Sequence, residues 1–436
     1  MVASKNTHRT PFWYNALLAC VKPLYRFKIK KRSGHLEDFN DEIIERFGPF
    51  QAPKNIDVIW FHVVSVGETN AAQPLIEHYL KLGQAVLVTN TTRTGQARSK
   101  SLFLARYPDL FQAVFLPADQ IDLIEQFIGL YQPKILLLME TELWPNLLSC
   151  IYQHEIPQLL LNARLSEKSA KGYGKFKSLT VPMLKQLNMV ATQDEASLER
   201  FARLGKQKSE MQNLGNVKFD ITAPQELLEQ AKNLQKIWQL NHRKIMLLAS
   251  THDPEEQTII ATLAAQLKHN PELLCIVVPR HPERFDTVAS EIEALGLSYQ
   301  RRSLNQTIMP QTQVYLADTM GELWLWCALS NVVYVGGSLN EPGGGHNILE
   351  PIALNVPTIL GKNYFNFQTI VDEFLAVEGI VVVGDAIQAS EMMLSILNDD
   401  THKQSLVRNA QQVFARNQGS VQRHIMLINQ FLDSKL

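Results

Sequence analysis

The stretch DVIWFHVVSVGETNAAQPLIEHYLKLG, residues 57–83, opens as an apolar run and closes as an amphipathic helix. An interior strand that passes straight into a helix is the first half of a unit whose next strand must run parallel. Gly67 predicts a turn between the two, with Thr69 or Asn70 capping a helix whose apolar face is Ala72, Leu75, Ile76, Tyr79 and Leu80. Pro74 then falls near the end of the first turn, where a missing N–H costs little. Glu68 is left on the turn, at the C-terminal edge of a strand. A carboxylate there either complements the helix dipole or serves as a general base.

The same alternation continues outward. AVLVTN, AVFLPAD, KILLLME, PQLLLNA and NMVATQ read as strands buried on both faces, with helical segments such as QIDLIEQFIGLY and DEASLERFARLG between them. It weakens over residues 219–243, a polar helical stretch with no strand, and resumes with KIMLLAST, LLCIVVPRH, VYLADT, NVVYVGGS, VPTILG and GIVVVGD. Two sets with a break disfavour a single closed barrel. They predict an α/β chain of two Rossmann-like, doubly wound domains facing a deep cleft, with ligands at the strand C-termini. The expected divisions are an N-terminal segment 1–35, a first domain 36–218, a linker 219–243 and a second domain 244–436. The last helix either completes the second domain or crosses back.

With 42 basic and 43 acidic side chains, the chain has no overall field to attract nucleic acid. Cys20, Cys150, Cys275 and Cys327 are far apart and form no CxxC pair, which suits a reducing compartment. The N-terminus departs from a plain soluble pattern. The apolar run Phe12 to Val21 is too short to span a bilayer, and Arg26, Lys28, Lys30, Lys31 and Arg32 follow it. Basic charge after the apolar run is the wrong order for a signal peptide. Trp13, Tyr14 and Tyr25 at headgroup level with cations toward anionic lipid make an interfacial anchor; a plain capping helix is the alternative.

Five further stretches carry chemistry. Glu140 and Glu142 in LLLMETELWPNLL follow a strand and precede a helix marked by Pro145, so they read as polar residues of a cleft or as a cap and a solvated acid. Lys218 in LGNVKFD lies at the end of the first domain, where it offers positive charge to a phosphate or carboxylate. STHDPEE and VPRHPERF each follow a strand. GGSLNEPGGGHNILEP runs through Gly343, Gly344 and Gly345 to a helix expected near His346 and Asn347, with Glu350 one turn in, suited to a phosphate and a ribose diol. This is neither GxGxxG nor a Walker loop, so no NAD or ATP cofactor is expected. The twelve histidines are dispersed, and no metal is expected.

In this order, HVVSVGET, METELWPNL, LNARLS, VKFD, STHDPEE, VPRHPERF, DTMGEL, YVGGSL and GGHNILEP resemble the bacterial Kdo (3-deoxy-D-manno-octulosonic acid) transferases, over nearly the whole chain. The resemblance implies a GT-B glycosyltransferase that moves Kdo from CMP-Kdo to a tetraacyl lipid A precursor. It would do so with inversion and without metal, at the cytoplasmic face of the inner membrane. It implies Glu68 as general base and Glu140 and Lys218 as stabilisers of the transition state. It implies nucleotide contacts at Pro279, Arg280, Met320, Gly321, Glu322, Asn347, Ile348, Leu349 and Glu350. The extra glycine and the proline in NEPGGGHN depart from the family's GGHN and put the loop shape in question. Rival readings are another GT-B sugar-nucleotide enzyme, such as a UDP-sugar transferase or epimerase, and an inactive membrane scaffold. Arg26 to Arg32, Lys54 and Arg93 are candidates for meeting lipid phosphates.

Overall fold

A computed structural model describes residues 10–433. The chain divides into two compact units. One runs to Asp220 and is completed by the chain from Asn417 onward; the other is Ile221–Arg416.

The first unit holds seven parallel strands: β1 (Ile59–His62), β2 (Val86–Asn90), β3 (Phe111–Phe115), β4 (Ile135–Met139), β5 (Gln158–Ala163), β6 (Met189–Thr192) and β7 (Met211–Asn213). Their order is β3-β2-β1-β4-β5-β6-β7. The chain winds outward from β1 through β3, then returns to the other side of β1 as β4. That reversal opens a crevice between the C-terminal ends of β1 and β4, the usual place for a ligand in such a sheet. Side chains alternate as the pleat demands: Trp60, Leu136 and Leu138 pack on one face, Ile59, Phe61, Ile135 and Leu137 on the other.

The second unit repeats the plan with β8 (Lys244–Thr251), β9 (Leu273–Pro279), β10 (Tyr299–Arg301), β11 (Val314–Leu316), β12 (Val332–Val335), β13 (Thr358–Gly361) and β14 (Val381–Val383). The order β10-β11-β9-β8-β12-β13-β14 puts its reversal between β8 and β12. Residues 219–243 contain the helix Gln225–Ile237, which belongs to the second unit and contacts the helix Leu323–Leu329.

Sequence reading missed β7 and β10. Both are three-residue strands at a sheet edge, and each leaves side chains partly or fully exposed, so neither carries the apolar run that marks the interior strands. The last helix, Ser420–Asp433, belongs to the first unit, where Ile425, Leu427 and Ile428 join the core. Each such burial stabilises by roughly 1.5–3 kcal/mol.

The N-terminal helix Phe12–Ser33 contains Pro23. It is tied to the first unit by Tyr14, whose hydroxyl donates to Asp119 Oδ2 at 2.9 Å, and by Asn15, whose Oδ1 accepts from Asn146 Nδ2 at 2.8 Å. Near its end Arg32 meets Glu42 at 2.6 Å, and Glu42 also holds Arg46 and Arg93. Arg93 is thus committed to Glu42 and Asp38 rather than free for a lipid phosphate, and Lys54 Nζ donates to the Pro108 carbonyl. Among the described residues no helix is long and apolar enough to cross a membrane.

Candidate active site

The opening stretch differs from the sequence reading at its centre. The helix begins at Val66, not after Gly67, and Ser65 is the N-cap. Gly67 lies inside the first helical turn, without a positive φ, and a Cβ there would meet nothing nearer than 3.8 Å. So no glycine bend presents Glu68. The pattern Ser65-x-x-Glu68 forms a reciprocal cap instead: the Glu68 N–H donates to Ser65 Oγ, and the Glu68 carboxylate reaches back to the Val64 N–H at 2.8 Å and the Ser65 hydroxyl at 3.3 Å.

The cap does not hold the acid at an ordinary pKa. Burial pushes the half-buried Glu68 carboxyl up to about 7, with Glu140 and Glu142 adding negative charge nearby; the Val64 N–H pulls the other way without offsetting them. A carboxylate near pH 7 is matched to taking a proton from an alcohol at physiological pH.

Glu140 follows β4 across the same crevice, with φ +58, a backbone region unusual for a residue with a side chain. It is held there by its N–H donating to the Leu161 carbonyl. Its carboxylate accepts from Lys218 Nζ at 2.8 Å. The sequence reading had Lys218 free to meet a substrate anion; here it is already paired with Glu140, partly buried and within reach of the same crevice. Glu142 accepts from Trp144 Nε1 at 3.0 Å.

Several residues of this site carried no sequence signal. His62, the last residue of β1, is fully buried. Trp60 Nε1 donates to Thr89 Oγ1 at 2.8 Å, and that oxygen lies 2.9 Å from His62 Nδ1. Nδ1 also lies 3.1 Å from the Thr89 carbonyl oxygen, which can only accept, while Nε2 lacks a hydrogen-bond partner and faces Glu142 Oε2 at 3.7 Å. Only a histidine closing an otherwise apolar strand hinted at this.

The segment bearing Lys218 is fixed by polar contacts distant in sequence. The Val217 N–H donates to Asn162 Oδ1, the Asn216 N–H to Asn417 Oδ1, and the Asn162 N–H to His424 Nε2, at 3.0, 3.0 and 3.1 Å. The Asp220 carboxylate caps the last helix through the Gly419 and Val421 N–H groups. Burial pushes His424 down to about 4, so it accepts that hydrogen bond as a neutral ring.

In the second unit the expected nucleotide residues lie on loops after adjacent strands. Pro279 ends β9 and Arg280 follows it, exposed. Met320 is exposed and Gly321 has φ +87. Glu322 is occupied by Arg302, at 2.7 and 3.1 Å, and by the Thr319 hydroxyl, so it braces its loop more than it offers a free acceptor. The glycine-rich loop does not lead into a helix at His346: the helix is Leu349–Ala353. Asn347 Oδ1 accepts from the Leu349 N–H, and its Nδ2 lies 3.4 Å from Glu350, a carboxyl whose pKa burial raises. The inserted glycine is used. Gly343 has φ +68, and a Cβ there would lie 2.7 Å from the Asn340 carbonyl oxygen.

The β8 and β12 loops are clamped by Glu255. It is fully buried and accepts from the His252, Gly337, Ser338 and Leu339 N–H groups and the Tyr334 hydroxyl, all within 3.0 Å. Five donors satisfy a buried carboxylate that would otherwise be costly.

Two doubly wound parallel sheets, each with its polar residues at the strand reversal, define the GT-B fold of sugar-nucleotide enzymes. A UDP-GlcNAc 2-epimerase from Neisseria meningitidis shares the fold at a TM-score of 0.53 and 13% identity, over 85% of this chain and 99% of that one. Residues 41–221 match the family described as 3-Deoxy-D-manno-octulosonic-acid transferase (kdotransferase). The 3-deoxy-D-manno-octulosonic acid transferase of Haemophilus influenzae is 36% identical, over 97% of this chain and 99% of that one. The C-terminal CMP-Kdo binding domain of WaaA from Acinetobacter baumannii is 53% identical, over 44% of this chain and 98% of that one, at a TM-score of 0.43. The chain belongs to the 3-deoxy-D-manno-octulosonic acid transferase family, and its activity is Kdo transfer in lipopolysaccharide biosynthesis.

Proposed function

We propose that the acceptor is a lipid A precursor and that Glu68 is the base that takes the proton from its sugar hydroxyl. The observation that carries this is the Glu68 carboxyl raised to about 7 at the reversal of the first sheet, opposite Glu140. Attack on the anomeric carbon with inversion needs one base for the acceptor. The departing nucleoside monophosphate leaves as an anion and needs no acid. In this reading CMP-Kdo is held by the loops carrying Pro279 and Arg280, Met320 to Glu322, and Asn347 to Glu350. Lys218, steadied by Glu140, stabilises charge on the sugar carboxylate or the departing phosphate.

Purified protein, CMP-Kdo and a tetraacyl lipid A precursor should give CMP and a Kdo-bearing lipid by mass spectrometry. CMP should raise the melting temperature where UDP does not. A product only from a UDP-sugar would remove the reading.

The same reading places the chain on the cytoplasmic face of the inner membrane through its N-terminal helix. Phe12, Trp13, Leu17, Leu24 and Phe27 are exposed, and Lys28, Lys30 and Lys31 stand exposed beside them. Apolar insertion with cations on anionic headgroups supports an interfacial seat, each cation contributing about 1 kcal/mol. Reversing the three lysines to glutamate should sharply lower flotation with anionic vesicles and leave the melting temperature unchanged. Equal flotation of the variant would remove the interfacial seat.

A further inference from the structure

The strand reversal of the second unit is bridged by two histidines that no expected nucleotide contact includes. His252 follows β8 and His346 follows β12. Their Nε2 atoms are 2.7 Å apart, and the rings lie nearly parallel, 16° apart, with centroids 5.0 Å from each other, as two rings joined end to end through these nitrogens would. His281, from the β9 loop, sets its ring edge-on to His252 at 4.8 Å. Gly337 makes room for the pair: it has φ +68, and a Cβ there would lie 2.8 Å from the His346 ring. The contact is direct, and the two nitrogens are too close for a metal ion to sit between them.

Two neutral imidazoles joined in this way share one proton. The ring that donates from Nε2 has a bare Nδ1; the ring that accepts carries its proton on Nδ1. Among the described residues neither Nδ1 has a hydrogen-bond partner. Adding one proton converts the pair into a single cation with an N–H at each Nδ1 and no lone pair facing outward. The neutral pair is therefore a poor seat for a dianion and the protonated pair a good one.

We infer that the His252–His346 pair is a proton-taking seat for the phosphate of a nucleoside monophosphate, neutral when empty and protonated when a phosphate dianion binds. This rests on the nucleotide-site reading above and deepens it. One proton enters from solvent as the dianion binds and leaves when it departs; no covalent bond changes in the pair. During transfer the phosphodiester monoanion of the donor becomes a monoester dianion, so the seat strengthens as the bond to the sugar breaks.

The surroundings agree with a neutral resting pair. Burial pushes His346 down to about 4, and His252, Arg280 and His281 push it the same way. His252 is lowered by burial and by His281, Arg280 and Arg284, against the raising effect of Glu255. Glu255 is already saturated by five donors, and Arg284 is shared among Asp253, Glu256 and Glu291. Glu283 lies 3.6 Å from His281 Nδ1, so the nearby carboxylates are engaged elsewhere, and a bound dianion adds negative charge beside the pair itself.

Calorimetric titration of the full chain with CMP at pH 8, in buffers of low and high ionisation enthalpy, counts the protons. Free CMP is then a dianion, its second phosphate pKa being about 6. Proton uptake on binding CMP that grows when the titration is repeated at pH 7 is expected by linkage, none with cytidine, and a phosphorus NMR shift of bound CMP that remains that of the dianion. His346→Gln should abolish the uptake and weaken CMP binding roughly ten- to hundredfold, the value of a charge-assisted hydrogen bond. CMP binding without proton uptake, uptake kept in His346→Gln, or a phosphate protonated when bound would each overturn the inference. Failure of the wild-type chain to bind CMP at all would overturn the nucleotide-site reading instead. If His346→Gln does not fold, the cytidine control and the phosphorus shift decide on the wild type alone.

Discussion

Glu68→Gln is expected to lose transfer while keeping, or gaining, stability. Removal of a general base lowers kcat by roughly 10²–10⁴. The amide keeps the size of the side chain and an oxygen for the Val64 N–H, so the cap largely survives. The stability side follows from the sign of the shift. Folding raises the Glu68 pKa above its ordinary value to about 7, so the native state prefers the neutral acid. That preference is fully present below the unfolded pKa and is lost as pH climbs through about 7. At pH 8 the wild type keeps a half-buried ionised carboxylate that the glutamine variant lacks, and the variant should melt at the same temperature or higher. The wild-type activity should itself fall tenfold per pH unit below about 7 and level off above it. Native turnover in the variant, or a limb near pH 4.5, would end the assignment. A residue kept only as a helix cap would show the reverse: lower stability and intact turnover.

How far this site was legible follows from what each residue does for the chain. Glu68 was found because a strand-to-helix junction is visible in sequence and a carboxylate stands out there. Its presentation was misread, because Gly67 looked like a turn and the Ser-x-x-Glu spacing of the cap went unused. The two sheets were read from apolar runs such as ILLLM and LLCIVVP, which are buried on both faces. The edge strands β7 and β10 lack that run. The return of the last helix to the first unit depends on Asp220 and His424 meeting partners 199 and 262 residues away, which no local pattern encodes. The same holds for the His252–His346 pair: each histidine is visible after its strand, but only the sheet order makes them neighbours. The Glu140–Lys218 pair lay between the two cases. Both residues were selected from sequence, and their ion pair came from the fold.

Lys218→Ala and Glu140→Gln should both slow transfer and should move the acid limb of the pH profile in opposite directions. The crevice gathers three carboxylates, Glu68, Glu140 and Glu142, around one lysine cation. Glu140→Gln removes one of the negative charges that raise Glu68, so the limb should move below about 7. Lys218→Ala removes the cation that offsets Glu140, so Glu68 feels a fuller negative field and the limb should move above about 7. A shift of roughly half a unit or more is reasonable for charges a few ångströms apart at a partly buried site. Loss of an electrostatic stabiliser should cut kcat by roughly 10²–10³ in either variant. In the double variant neither charge remains, so the limb should return toward the wild-type position, while kcat should fall by less than the product of the single losses because the two residues act as a pair. Because the Glu140 backbone is held at a positive φ, glycine at 140 tests the site differently: it relaxes the backbone and removes the acid, so turnover should fall while the melting temperature falls little. Limbs that move together, or not at all, would mean that this ion pair acts on something other than the ionisation of Glu68.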